Sequence, residues 1–285
     1  MSKKKFYSIP VIIISLLLAL SYLPGTLEST VHTEDPPKED NEQVKVDKPS
    51  EPADEQQNDP LDPEKIVAMV KPAVVKAKIT ADTDVYNNYN SQQVIGQLSE
   101  GDKVEIVKDK GYQWYYVKSN NLTGWVPYKV LSIPSDPNTN DDEMTTEQVE
   151  AFANIKGFES DTNYLVWVDI NRQLTHILTG KKENWKLAKT MPSATGKNVS
   201  PTLRGTFTIK ERGNWFYSPQ FESGAKYWVR YDGAYLFHTV AMDKNQKVKD
   251  PTLGERASSG CIRLAVENAK WIYNNIPSGT KVFVN

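Results

Sequence analysis

From residue 73 to its end the chain consists of short β-prone runs cut by turn residues every few positions. A chain punctuated in this way cannot build long helices and must pair its strands into small barrels or sandwiches. The first block holds Val74–Ile79, Val94–Leu98, Lys103–Val107, Trp114–Val117 and Gly124–Val126, with Glu100-Gly101-Asp102 and Lys110-Gly111-Tyr112 as turns. Many short strands in so little chain specify a small barrel. The second block holds candidate strands at Tyr164–Asp169, Leu174–Leu178, Leu187–Met191, Gly205–Lys210, Tyr227–Tyr231, Tyr235–His238 and Lys281–Val284, with hairpin turns at Asn171-Arg172 and Gly180-Lys181. Two short helices interrupt it. Thr145-Thr146-Glu147-Gln148 offers a capping box in front of Val149, Phe152 and Ala153, and Val266–Asn274 carries a broad apolar face.

The first quarter of the chain is of another kind. Lys3, Lys4 and Lys5 precede the almost wholly apolar Phe6–Leu23, which reads as a signal peptide or membrane anchor over residues 1–26, with residues 6–23 in the membrane. The lysines would stay cytoplasmic, so the remainder is expected outside the cell, anchored on the outer face of the membrane or secreted. Residues 27–72 are rich in Asp, Glu, Lys, Gln and Pro. Such a tract cannot bury enough apolar surface to offset its ordering entropy, so a disordered linker is expected. The remaining segments are a barrel at 73–133, a hinge and short helix at 134–159, and a C-terminal domain at 160–285.

With 34 basic and 36 acidic residues the formal net charge is −2, which gives no footprint for nucleic acid. Cys261 is the only cysteine, so no internal disulfide is possible, and in an exported protein a lone thiol is an intermolecular link or a working group. No pattern of four ligands or of paired helical histidines points to a metal, and no glycine loop points to a nucleotide cofactor.

A thiol acts as its thiolate, so Cys261 needs a partner that takes its proton. Of three histidines, His32 lies in the polar tract and His176 sits in an alternating run whose polar residues are expected to face water. His238 ends the apolar run Tyr235-Leu236-Phe237, and elimination selects it. If the two strands are neighbours, imidazole and thiol form a thiolate–imidazolium pair near neutral pH, and the imidazolium then protonates a leaving amine. Ser258, Ser259 and Gly260 form a small-residue loop that can turn the N–H groups of Gly260 and Cys261 towards an oxyanion. Arg263 falls on the same face as Cys261 by the period-two rule and is placed to bind a substrate carboxylate, or to pair with Glu267. No acid is obviously placed to hold His238; a backbone carbonyl near Thr239 is an alternative.

Two resemblances follow. Residues 73–133, through Val94-Ile95-Gly96, Gly101-Asp102-Lys103-Val104, Trp114-Tyr115-Tyr116-Val117 and Gly124-Trp125-Val126, resemble a bacterial SH3-like domain. Such domains bind cell-wall peptide or glycan through exposed aromatics, although Trp114 and Trp125 read more readily as core. Residues 160–285 resemble an L,D-transpeptidase catalytic domain of the YkuD type. The match rests on His238, Ser258-Ser259-Gly260-Cys261, Ile262-Arg263-Leu264, and Thr195-Gly196 with Pro201-Thr202-Leu203-Arg204-Gly205-Thr206-Phe207. Ser259 departs from the family's usual second histidine, Thr239 from a glycine or serine, and Leu203 from a second proline.

The resemblance implies a mainly β protein with a sandwich- or barrel-like catalytic domain. It also implies peptidoglycan stem peptides as substrates, 3→3 cross-linking through a Cys261 thioester, acylation of Cys261 by carbapenems, and no cofactor. Other readings share parts of the pattern. They are an L,D-carboxypeptidase using water as acceptor, a sortase-like transpeptidase, and a wall-binding protein with a dead site. A papain-like endopeptidase places its cysteine before its histidine, the reverse of the order here.

Overall fold

Strand β1 (Val75–Ile79) shows how the first block folds. Val75, Ala77 and Ile79 point inward while Lys76 and Lys78 face water, the alternation of a sheet with one wet face. β2 (Thr83–Tyr86), β3 (Val94–Leu98), β4 (Lys103–Lys110), β5 (Trp114–Lys118), β6 (Thr123–Pro127) and β7 (Leu131–Ser132) complete an antiparallel seven-stranded sheet. Its order is β3-β2-β6-β5-β4-β1-β7. The inward residues, Val85, Val104, Ile106, Tyr115 and Val126 among them, form a core of their own. β2 has no clear sequence signature because only Val85 of its four residues is buried.

The structure is a computed structural model and describes residues 59–285. The expected membrane segment, residues 1–26, and most of the linker lie outside the described residues. Among those described, no helix is long and apolar enough to cross a membrane.

The second block forms an eleven-stranded sheet from β8 (Tyr164–Asp169), β9 (Leu174–Lys181), β10 (Asn184–Ala194), β11 (Gly205–Thr208), β12 (Arg212–Ser218), β13 (Ser223–Asp232), β14 (Tyr235–Thr239), β15 (Ala241–Met242), β16 (Val248–Asp250), β17 (Ile262–Leu264) and β18 (Lys281–Val284). Its order is β11-β18-β8-β9-β10-β17-β14-β13-β15-β16, with β12 paired on β13. Most neighbours are antiparallel, but β8 with β18 and β14 with β17 run parallel. The mainly β architecture expected from the punctuation is the one adopted. The turn expected at Gly180-Lys181 falls just beyond, because both residues still pair as β9.

Three helices, α1 (Pro63–Met69), α2 (Thr146–Ile155) and α3 (Val266–Asn275), cover this sheet. α2 starts with the expected capping box: Gln148 N–H donates to Thr145 Oγ1 at 3.3 Å and Thr145 N–H to Gln148 Oε1 at 2.9 Å. Its Val149, Phe152 and Ala153 pack with Ile66 of α1 on Leu165, Trp167, Leu178 and Trp185. The opposite face carries Val166, Ile177, Phe237, Ile262 and Leu264 against Ala269 and Ile272 of α3. Burial on both faces explains the unbroken apolar run of β8.

Three expectations are corrected. His176, expected to face water, is 3% exposed. It lies on the α2-covered face with its ring 4.8 Å from that of Trp167 and Nδ1 2.9 Å from Thr190 Oγ1. An alternating run reads as half-exposed only when nothing covers its polar face, and here α2 does. Desolvation holds the His176 pKa down to about 4. Second, the linker does not extend to residue 72 as a disordered tether. Asp62 caps α1, accepting from Glu64 N–H at 2.9 Å, Pro63 takes the first turn, and Ile66 is fully buried. Third, the hinge is strapped down: Asn198 Nδ2 donates to the carbonyl of Ser135 at 2.8 Å, and Thr139 Oγ1 to that of Gly254 at 2.7 Å.

If α1 is part of the folded unit, Ile66→Ala should cost about 2–5 kcal/mol. Denaturant midpoints at constant m-value test this, and an unchanged midpoint would show α1 to be dispensable.

Candidate active site

The parallel pairing of β14 with β17 aligns Phe237 with Ile262, His238 with Arg263 and Thr239 with Leu264. Phe237 and Ile262 are fully buried in the core. Period two therefore turns His238, Arg263 and the preceding Cys261 to the other face, where all three line a cleft of about 1100 Å³. The opposite wall comes from the first sheet and includes Lys108, Tyr112, Trp114 and Trp125. Trp125 is nearly buried and Trp114 half-buried, yet both edge the cleft. The reading of both as core is corrected: neither joins the barrel core, and on the sheet's other face Trp114 meets Tyr86 while Trp125 packs against Tyr89 and Tyr116.

The loop before Cys261 is held from within and from below. The buried Ser258 donates through Oγ to the Cys261 carbonyl at 2.5 Å and accepts from Gly260 N–H at 3.1 Å. Gly260 has φ +101°, and a β-carbon there would lie 2.9 Å from the Tyr235 ring and 3.3 Å from the Pro201 carbonyl. Only glycine fits. Thr202 Oγ1 donates to the Gly260 carbonyl at 2.9 Å and accepts from Gly196 N–H at 2.8 Å. The Thr195-Gly196 and Pro201–Gly205 stretches thus act as the cradle of the cysteine loop. This corrects the expectation for the oxyanion donors, because the Gly260 N–H is engaged with Ser258. Ser259 is exposed, and its Oγ accepts from Tyr112 Oη at 2.5 Å, a contact spanning 147 positions that no sequence pattern announces.

His238 is 7% exposed. Its Nδ1 lies 2.6 Å from the Thr239 carbonyl, and an acceptor there requires Nδ1 to carry the proton, leaving the lone pair on Nε2. The carbonyl alternative for the orienting group is the one found, and no carboxylate takes that place. The ring of Phe216 meets the imidazole edge-on at 5.6 Å. Desolvation, with a smaller contribution from Arg263, brings the His238 pKa down to about 4 against the opposing Thr239 bond.

The partly exposed Cys261 thiol donates to the Ala234 carbonyl at 3.6 Å. Burial raises its pKa, outweighing the Leu236 backbone N–H and the charges of Arg263 and Arg230. Both shifts favour the neutral forms, thiol and imidazole. These directions run against the expected thiolate–imidazolium pair, because separated charges are costly in a desolvated site.

Arg263 pairs with Asp250, Nη1 to Oδ2 at 2.7 Å, not with Glu267. Asp250 is also bonded to Thr252, which together with Arg263 lowers its pKa. Asp250 lies on β16, and chain distance hid the pairing. Among the described residues no group of three or more His, Cys, Asp or Glu side chains is arranged to hold a metal.

The rate of Cys261 alkylation by iodoacetamide in the substrate-free protein should climb with pH through and beyond the ordinary thiol range of about 8.5. The sign follows from the raised thiol pKa and from an imidazole that is already neutral above about 4. A plateau reached below pH 7 would show a preformed ion pair instead.

Residues 163–284 match the YkuD family, the L,D-transpeptidase catalytic domain, and residues 90–132 match the bacterial SH3 domain. Over 131 residues the chain is 42% identical to the Bacillus subtilis (strain 168) protein named "Putative L,D-transpeptidase YciB". That alignment covers 42% of this chain and 66% of the relative, just short of two thirds of its length. Among solved structures, a fused Zn-dependent amidase/peptidase/peptidoglycan-binding domain-containing protein from Clostridium acetobutylicum ATCC 824 is 31% identical with a TM-score of 0.43, covering 52% of this chain and 65% of that one. An L,D-transpeptidase from Mycobacterium smegmatis is 16% identical with a TM-score of 0.36, covering 62% and 68%.

Proposed function

We propose that this chain, in which an L,D-transpeptidase catalytic domain follows a bacterial SH3 domain, is a cysteine acyltransferase that cross-links peptidoglycan stem peptides. The observation that carries the reading is the parallel pairing of β14 with β17, which sets Cys261, His238 and Arg263 on one wall of a single cleft.

The reaction starts from the neutral pair. Cys261 Sγ attacks the carbonyl between the third stem residue and the terminal D-Ala, and its proton passes to Nε2 of His238 as the C–S bond forms. Moving the proton during attack avoids building two charges in a desolvated site. The Thr239 carbonyl bonded to Nδ1–H holds the ring in the required tautomer and disperses the imidazolium charge. With the Gly260 N–H engaged, the Cys261 N–H is the donor this loop offers to the oxyanion.

His238 then gives its proton to the departing D-Ala amine, leaving a thioester. A stem amine resolves it to a 3→3 cross-link, and water resolves it to a trimmed tripeptide. Arg263 faces the cleft already compensated by Asp250, so it orients a substrate carboxylate by sharing its guanidinium, without presenting an unpaired charge. The lysine-led apolar N-terminus supports placement outside the cell, with the SH3 domain on wall material.

Incubation with disaccharide-tetrapeptide should yield cross-linked dimer or tripeptide by mass spectrometry, and neither product would defeat the reading. Cys261→Ala should abolish turnover with the fold intact, and His238→Gln should lower kcat by about 10²–10⁴-fold.

A further inference from the structure

We propose that the SH3-like domain completes the active site, with Tyr112 as a positioning residue that holds Ser259 and, through it, the loop carrying Cys261. The turnover assay for this inference rests on the acyl-transfer reading; the chemical probe of the thiol does not.

Tyr112 lies on the turn between β4 and β5, where Gln113 N–H donates to the Lys110 carbonyl at 3.2 Å. Gly111 has φ +60° and Tyr112 φ +61°, the two left-handed central residues of a type I′ hairpin. Asn-Gly, Asp-Gly or Gly-Gly suits that turn. A tyrosine at its second position carries a steric penalty that glycine avoids. Such a residue persists where its surroundings over-determine it.

Asp109 supplies that determination. Its Oδ2 accepts from Tyr112 N–H at 2.9 Å and its Oδ1 from Ser200 Oγ of the catalytic domain at 2.5 Å. Tyr115 Oη donates to the Val199 carbonyl at 2.8 Å, and Glu105 pairs with Arg204. All these contacts converge on residues 199–204, the stretch that holds the Gly260 carbonyl through Thr202. The strained turn is thereby set in register with the cysteine loop, and its exposed tyrosine reaches the exposed hydroxyl of Ser259.

The loop needs this support. Ser258 is tied inward, and Gly260 adds no side chain. Ser259 has only its hydroxyl to fix the outer side, two residues before the thiol. Fixing it fixes the peptide units that present the Cys261 N–H and Sγ to a substrate.

In the full chain, Tyr112→Phe should keep ring, turn and melting temperature. It should lower kcat on the tetrapeptide about ten-fold while KM stays within about two-fold, and slow iodoacetamide alkylation of Cys261 several-fold. Ser259→Ala should match it, Ser259→Thr should restore the rate, and the double variant Tyr112→Phe/Ser259→Ala should lose no more than either single change. Tyr112→Gly should relieve the turn without lowering the melting temperature and still lose the same rate, which a purely structural role would not produce. Wild-type kcat and alkylation in Tyr112→Phe, or losses that multiply in the double variant, would overturn the proposal. Should the wild type turn over no tetrapeptide, the acyl-transfer reading fails and the alkylation rates alone decide the role of Tyr112.

Discussion

Everything at the candidate site depends on one ladder, the short parallel contact between β14 and β17. Three residues of β17 suffice because each has a partner across the ladder and because Ile262 and Leu264 anchor the strand in the core. Burying those two side chains fixes which way the intervening Arg263 and the preceding Cys261 must point. The core thus aims the site through the period of a strand, and a slip of one residue would bury Cys261 and Arg263 and expose Ile262.

That ladder sets Cys261 and His238 on one wall of a desolvated cleft. Desolvation pushes the Cys261 pKa up and the His238 pKa down. The Thr239 carbonyl still favours protonation of the ring, and it does so without the full charge of a carboxylate. The guanidinium of Arg263, which lines the cleft, is balanced by Asp250 from β16.

The two sheets are parts of one working surface. Residues 134–143 are bonded to the catalytic domain, α1 packs on the same sheet, and the SH3-like hairpin reaches the cysteine loop. A description of separate modules joined by hinges fits the composition of the segments and misses their contacts. Pro134, Ser135 and Asp136, in a segment that reads as flexible, accept hydrogen bonds from Asn198, and Thr139 donates to Gly254.

The sequence by itself determined the β architecture, the capping box of α2, the identity of the sole thiol and the runs on which Cys261 and His238 sit. These are local properties: strand period, turn chemistry and residue count act over a few positions. Only the tertiary structure decided that His176 is sealed under α2, that Asp250 balances Arg263, that desolvation disfavours charge on Cys261 and His238, and that Tyr112 touches Ser259. Each of these depends on what covers a face or on which distant segment arrives there. Desolvation and long-range hydrogen bonds are set by packing across many tens of residues, and no spacing along the chain encodes them.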